Sequence, residues 1–218
     1  MNLFISIEGG EGSGKSTLSL AIYKHLSKQG IDVISTFEPG GTSLGQTLRS
    51  QLFASHKSEL ESISAWSETF LFLADRTHHT ETIIRPALNQ GKVVLCDRFT
   101  DSTIAYQGYG RGLDRNLIQC LNDLATQGLT PNLTIFLDLD AVKGLARTKM
   151  QTEDRISEET LSFHERVVSG YRQLAKEHPQ RIHRVDATQP QKEVLTLALT
   201  LVESHLANAK DETANTTQ

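Results

Sequence analysis

Gly9-Gly10-Glu11-Gly12-Ser13-Gly14-Lys15-Ser16 is the stretch on which the reading of this chain turns. It follows a short apolar run, Leu3–Ile7, and leads into a segment of helical spacing at about 15–29. The pattern is G-x-x-x-x-G-K-[ST] between a strand and a helix, that of a loop built to hold phosphates. Glycines let successive backbone N–H groups turn toward phosphate oxygens without a Cβ in the way. The following helix adds the partial positive charge of its N-terminus. Gly9, Gly10, Glu11, Gly12, Ser13, Gly14 and Thr17 are expected to surround a nucleoside triphosphate. Lys15 is expected to reach its β- and γ-phosphates, and Ser16 to offer a hydroxyl to Mg²⁺.

Further strands are expected at Ile31–Phe37, Lys92–Cys96, Leu133–Leu137 and Arg181–Val185. Their apolar content is nearly continuous, which suits a parallel sheet covered on both faces. Helical spacing occupies about 43–54, 64–89, 113–127, 141–150, 158–177 and 190–208. The alternation predicts a doubly wound α/β domain, a five-stranded parallel sheet flanked by helices, over residues 1–208. Ligands then belong at the carboxyl ends of the strands. Residues 209–218 are polar and read as a tail, and the polar segment 148–157 reads as a lid.

The chain has 218 residues and a formal net charge of −4, which excludes a general electrostatic grip on a nucleic-acid polymer. Two cysteines without metal or disulfide spacing fit a reducing cytosol. With neither a signal-peptide pattern nor an apolar run near ~20 residues, the expectation is a cytoplasmic protein without a membrane partner. The eight histidines show no metal spacing and read as solvated. The guanine-reading N-K-x-D and the D-x-x-G of regulatory GTPases are absent. A small kinase with a second, acceptor site is the remaining expectation.

Glu38-Pro39-Gly40-Gly41-Thr42 follows the second strand, with Arg49 beyond it; Asp97-Arg98-Phe99 follows the third. Arg98 has the fork to clamp a monophosphate, with Arg49 beside it. Asp97 ends an apolar strand as a Mg²⁺-holding acid should. Ile7-Glu8-Gly9, Tyr106-Gln107-Gly108-Tyr109-Gly110-Arg111-Gly112 and Asp186-Ala187-Thr188-Gln189 complete the set. From about residue 3 to about 205 these clusters resemble, in order, the signatures of the thymidylate kinase family. The resemblance implies phosphorylation of dTMP to dTDP with ATP and Mg²⁺, and a homodimer. It puts Phe72 under the thymine ring, where the residues alone read core packing, and Arg76 at the polar edge of the base. It assigns Glu8, Glu38, Pro39, Ser102, Thr103, Tyr106 and Gln107 to the acceptor nucleotide and Ala187 to the donor. With no arginine in the phosphate loop, the chain resembles the subgroup that keeps its arginines in the lid. Arg155, in Asp154-Arg155-Ile156, or Lys149 is then expected to meet the transferring phosphoryl group, and Arg147 the adenine or α-phosphate side. Position 151, where a third basic residue is expected, holds Gln. Taken alone, the residues leave open a kinase for another nucleoside monophosphate or a nucleoside, or a nucleotide-binding module without catalysis.

Overall fold

A computed structural model describes residues 2–53, 63–148 and 155–215, side chains through 209. Five parallel strands, β1 (Leu3–Gly9), β2 (Val33–Phe37), β3 (Val93–Asp97), β4 (Leu133–Asp138) and β5 (Ile182–Asp186), lie in the order β2-β3-β1-β4-β5. Every residue of β1 is buried, as a central strand covered on both faces requires. The edge strands β2 and β5 instead carry half-buried and exposed residues.

Alternation along β1 divides the core. Leu3, Ile5 and Ile7 pack with Leu18, Ile22 and Leu26 of α1 (Lys15–Lys28) and with Val194, Ala198 and Val202 of α9 (Gln191–Asn215). Phe4, Ser6 and Glu8 must then face the opposite layer. There Phe4 meets Phe99, and Ser6 meets Thr134 at 2.8 Å. Glu8 is therefore turned toward the layer that carries Phe99, Ser102 and Tyr171, although its strand neighbours are aliphatic.

The sheet follows the expected spans to within about two residues, but three helical stretches differ. The long segment at 64–89 is α3 (Ala65–His79), a π-helical turn (Thr80–Ile84) and α4 (Arg85–Asn89). After β3, α5 (Thr100–Thr103) and a second π-helical segment (Ile104–Gly110) form where no helix was expected. Such wide turns often mark functional positions, and this one carries Tyr106 and Gln107. Helix α9 runs on to Asn215, past the expected end at 208, and neither Gly nor Pro interrupts it. The remaining helices are α2 (Ser43–Leu52), α6 (Arg115–Thr126), α7 (Ala141–Thr148) and α8 (Leu161–Glu177). Among the described residues, no helix is long and apolar enough to cross a membrane.

Ile5 is fully buried at the centre of the sheet. Ile5→Ala removes packed methyl groups with little room for collapse, and should cost about 2–5 kcal/mol. Urea unfolding of the two proteins measures it; a loss below about 1 kcal/mol would show that this layer is not the close-packed core described.

Candidate active site

Two backbone features shape the phosphate loop. Gly12 has φ +65°, and a Cβ there would lie 2.2 Å from the carbonyl oxygen of Gly144 in α7. Gly14 caps α1 at φ 97°, with no side chain bonded to the helix N-terminus and no acidic residue in its first turn. The N–H groups at this end are left for an anion. Lys15, buried beneath the loop, donates to Gly10 O at 2.9 Å and lies 3.4 Å from Ser13 Oγ. Burial, aided by the charge of Arg98, lowers its pKa to about 8.

Register brings the third strand to this loop. Ile7 of β1 pairs with Asp97 of β3, and Ser16 Oγ donates to Asp97 Oδ2 at 2.7 Å. Asp97 Oδ1 is buried without a hydrogen-bond partner among the described residues. A hydroxyl and a carboxylate with an uncommitted oxygen, both beside a phosphate loop, form a donor set that suits Mg²⁺.

Arg98 follows directly, at φ 72°, a left-handed conformation uncommon outside glycine. Its guanidinium donates to Gly9 O at 3.1 Å, Glu11 Oε1 at 2.9 Å and Tyr106 Oη at 3.1 Å. It therefore spans from the loop to the neighbouring cavity. Burial works against the Glu11 carboxylate, but Arg98, Lys15 and the Tyr106 hydroxyl outweigh it and bring its pKa down to about 2.

That cavity gathers Glu11, Glu38, Pro39, Phe72, Arg76 and Arg98. Ser102, Thr103, Tyr106 and Gln107 line it too, with Phe53 and Ile156. Arg76 is almost wholly buried, bound to Glu38 Oε2 at 2.8 Å, Thr103 Oγ1 at 2.6 Å, Asn122 Oδ1 at 2.7 Å and Phe99 O at 3.0 Å. Breaking one side of such a buried ion pair costs roughly 3–5 kcal/mol, so this arginine is a fixed part of the wall.

Several expected residues sit elsewhere. Glu11 turns from the triphosphate side of its loop to Arg98 and the cavity, because Arg98 and Tyr106 both bind its carboxylate. Glu8 is fully buried and does not line the cavity; it accepts from Phe99 N at 2.7 Å, Ser102 Oγ at 2.6 Å and Tyr171 Oη at 2.9 Å. Arg49 is exposed, donates to Pro39 O at 2.9 Å, and lies 4.6 Å from the Phe53 ring centroid, behind the wall. Arg155 is buried at Glu68 and Leu52 O and makes no described bond to the phosphate loop. Lys149 and most of the segment expected as a lid lie outside the described residues. Arg147 lies 3.4 Å from both Gly12 O and Ala187 O, bridging the flank of the loop toward the turn after β5. Thr17 is exposed in the first turn of α1.

Sequence reasoning missed three site residues and misread one histidine. Tyr171 sits in an apolar stripe of α8 with Phe163, Val167 and Leu174 and reads as core, yet its hydroxyl holds Glu8 and Ser102. Glu68 lies four and eight residues before Phe72 and Arg76, hence on one helix face, a spacing that could have exposed it. Asn122, on α6, carries no local signal. His79 is fully buried, bonded to Glu38 at 2.9 Å and Thr36 at 2.6 Å, so it is not solvated. Glu38, His79 and Cys96 place ligand-type atoms within 4.8 Å of one another, but the ring nitrogens of His79 and the carboxylate of Glu38 are already bonded.

Burial, then the charge of Asp101, raises Glu8 from an ordinary 4.5 to about 7. A raised carboxyl favours the folded state while protonated and loses that contribution as pH rises. Wild type should therefore lose stability relative to Glu8→Gln between pH 4.5 and about 7 and run level above it. Urea midpoints across that range test this; a constant gap would contradict the burial of an ionisable carboxyl.

The thymidylate kinase family model matches residues 7–197. A thymidylate kinase from Desulfovibrio desulfuricans is 47% identical over 212 residues, 94% of this chain and 96% of that one. Another, from Synechococcus sp., is 48% identical over 204 residues, with 94% and 96% covered. The crystal structure of thymidylate kinase from Ehrlichia chaffeensis superposes with a TM-score of 0.74 at 36% identity, over 92% of this chain and 98% of that one. With a family model matched over most of its length, relatives nearly half identical from end to end, and a phosphate loop that Arg98 joins to a neighbouring cavity, the chain belongs to the thymidylate kinase family.

Proposed function

We propose that this chain transfers the γ-phosphoryl group of ATP to dTMP, giving dTDP and ADP. The observation that carries the reading is Arg98, whose guanidinium touches Gly9 of the phosphate loop while lining the acceptor cavity. A cation shared by two compartments suits two anionic nucleotides meeting end to end.

The bond formed joins an oxygen of the dTMP phosphate to the γ-phosphorus. The bond broken is the β–γ bridge, whose electron pair leaves with ADP. A phosphate monoester has a second pKa near 6, so the acceptor is already an anion and needs no strong base. Catalysis rests on positioning and on neutralising charge at the transferred group. Lys15 and the N–H groups of the loop hold the β- and γ-phosphates, and Arg98 releases Glu11 to hold the acceptor phosphate. Ser16 and Asp97 would hold Mg²⁺, which would neutralise phosphate oxygens when bound. Phe72 lies against the base, and Tyr106 and Ser102 bound the sugar side. Arg147 and the backbone near Ala187 flank the adenine side.

Arg155 enters the reaction only by leaving Glu68, which makes Lys149 the more direct candidate for charge on the transferring group. A homodimer through α3 and α6 fits their exposed apolar side chains, Phe70, Leu117 and Leu124. A cytoplasmic setting fits two thiols that form no disulfide.

A coupled ADP-release assay across dTMP, dUMP, dCMP and AMP tests the substrate. The expected result is turnover dependent on dTMP, abolished in Lys15→Ala. Arg98→Ala should lower kcat/KM for dTMP by at least about 100-fold, the scale of a lost transition-state charge contact, with ATP affinity held within about threefold. Unchanged dTMP kinetics in Arg98→Ala would place the acceptor somewhere else.

A further inference from the structure

Glu68 carries no solvent exposure, yet it is a carboxylate with two arginines and an amide on it. Its Oε1 accepts from Gln107 Nε2 at 2.8 Å and from Arg111 Nε at 3.1 Å. Its Oε2 accepts from Arg111 Nη2 at 2.9 Å and from Arg155 Nη2. Burial opposes the charge, but hydrogen bonds from Arg111 and Gln107 and the two guanidinium charges overcome it and hold the carboxyl below its ordinary range. Glu68 is thus ionised near neutral pH and can only accept hydrogen bonds.

An acceptor-only partner removes the usual ambiguity of a glutamine amide. The NH₂ end of Gln107 must face Glu68, so the carbonyl oxygen, Oε1, is the end left for the cavity that Gln107 lines. No described residue donates to that oxygen. Across the same cavity Arg76 presents the opposite polarity. The bonds described above occupy four of its five N–H groups, leaving one on Nη2. At this part of the wall Gln107 thus offers an acceptor and Arg76 a donor. A pyrimidine with a ring N–H beside a carbonyl, as in thymine or uracil, satisfies both. Cytosine presents an unprotonated ring nitrogen beside an amine and reverses both.

We propose that Glu68 is a positioning residue for base selection: by fixing the amide of Gln107, it sets the hydrogen-bond polarity that admits an imide pyrimidine and rejects an aminopyrimidine. This rests on the reading of the cavity as the acceptor site. Glu68 itself touches no substrate. It acts through Gln107, and Arg111 and Arg155 keep it charged while it does so. In Glu68→Gln the new amide can donate or accept, and Gln107 is free to flip.

The test compares kcat/KM for dTMP and dCMP in wild type, Glu68→Gln, Gln107→Met and the double variant. Removing one polar match in a buried site leaves groups unpaired and costs discrimination steeply. Each single variant should reduce the dTMP-to-dCMP ratio at least about 10-fold, through a raised dTMP KM, with ATP KM within twofold of wild type. The double variant should lose no more than the worse single one, because both act through one amide. A ratio retained in Glu68→Gln overturns the proposal, as do additive losses in the double variant. Gln107→Met leaves Glu68 with both arginines, so a retained ratio there overturns the proposal even where Glu68→Gln does not fold. Wild-type enzyme that does not use dTMP overturns instead the reading of the site on which this inference stands.

Discussion

The backbone N–H of Arg98 donates to Ile7 O at 3.0 Å, and much of the site depends on that bond between adjacent strand ends. Parallel pairing of β1 with β3 fixes where β3 stops, and the left-handed turn at Arg98 then throws its side chain over Gly9. The same register sets Asp97 beside Ser16. A slip of one residue would exchange the two faces of β3 and send both groups into the opposite layer. The acid beside the phosphate loop and the arginine that reaches from it to the cavity are thus two outcomes of one strand pairing. Local strain at Arg98 is tolerated because Glu11, Tyr106 and Gly9 hold the side chain it delivers.

A protein with a formal charge of −4 must still hold two polyanions. It does so by burying its cations in pairs. Arg98 rests on Glu11, Arg76 on Glu38, and Arg111 and Arg155 on Glu68. Unpaired guanidinium groups at such depths would be costly. Paired, they stay oriented while the site is empty, and the arginines near the mouth can exchange a carboxylate for a phosphate. The pairs are not equivalent. Arg76 and Glu38 are each 2% exposed and fix the wall, whereas Arg98 and Glu11, at 19% and 23%, stand where an entering anion can compete.

The phosphate loop, the sheet and the two layers were legible because each depends on local pattern: glycine spacing, apolar runs and helical period. Lys15, Ser16 and Asp97 followed, since a loop and an adjacent strand end leave them little freedom. Glu11 was harder. Its backbone lies where the motif requires, but its direction is chosen by Arg98 and Tyr106, which are distant in sequence. Arg155 likewise reads as a lid cation and is instead drawn to Glu68, a buried partner 87 residues away. The helix from Thr100 through the wide turn at Ile104–Gly110 escaped notice because its small and polar residues show no amphipathic period; tertiary packing against α8 makes it. Resemblance pointed to Phe72 and Arg76 as cavity residues, where periodicity alone reads Phe72 as core packing.

The central claim is geometric: an acceptor monophosphate occupies the space now closed by the Arg98–Glu11 pair, with its base against Phe72. A crystal structure of the protein with dTMP and a non-hydrolysable ATP analogue measures this directly. The account predicts dTMP phosphate oxygens within hydrogen-bond distance of the Arg98 guanidinium, and the thymine ring stacked on Phe72 with its imide edge toward Arg76 and Gln107. Density for dTMP outside this cavity, with Arg98 still bound to Glu11, would contradict it.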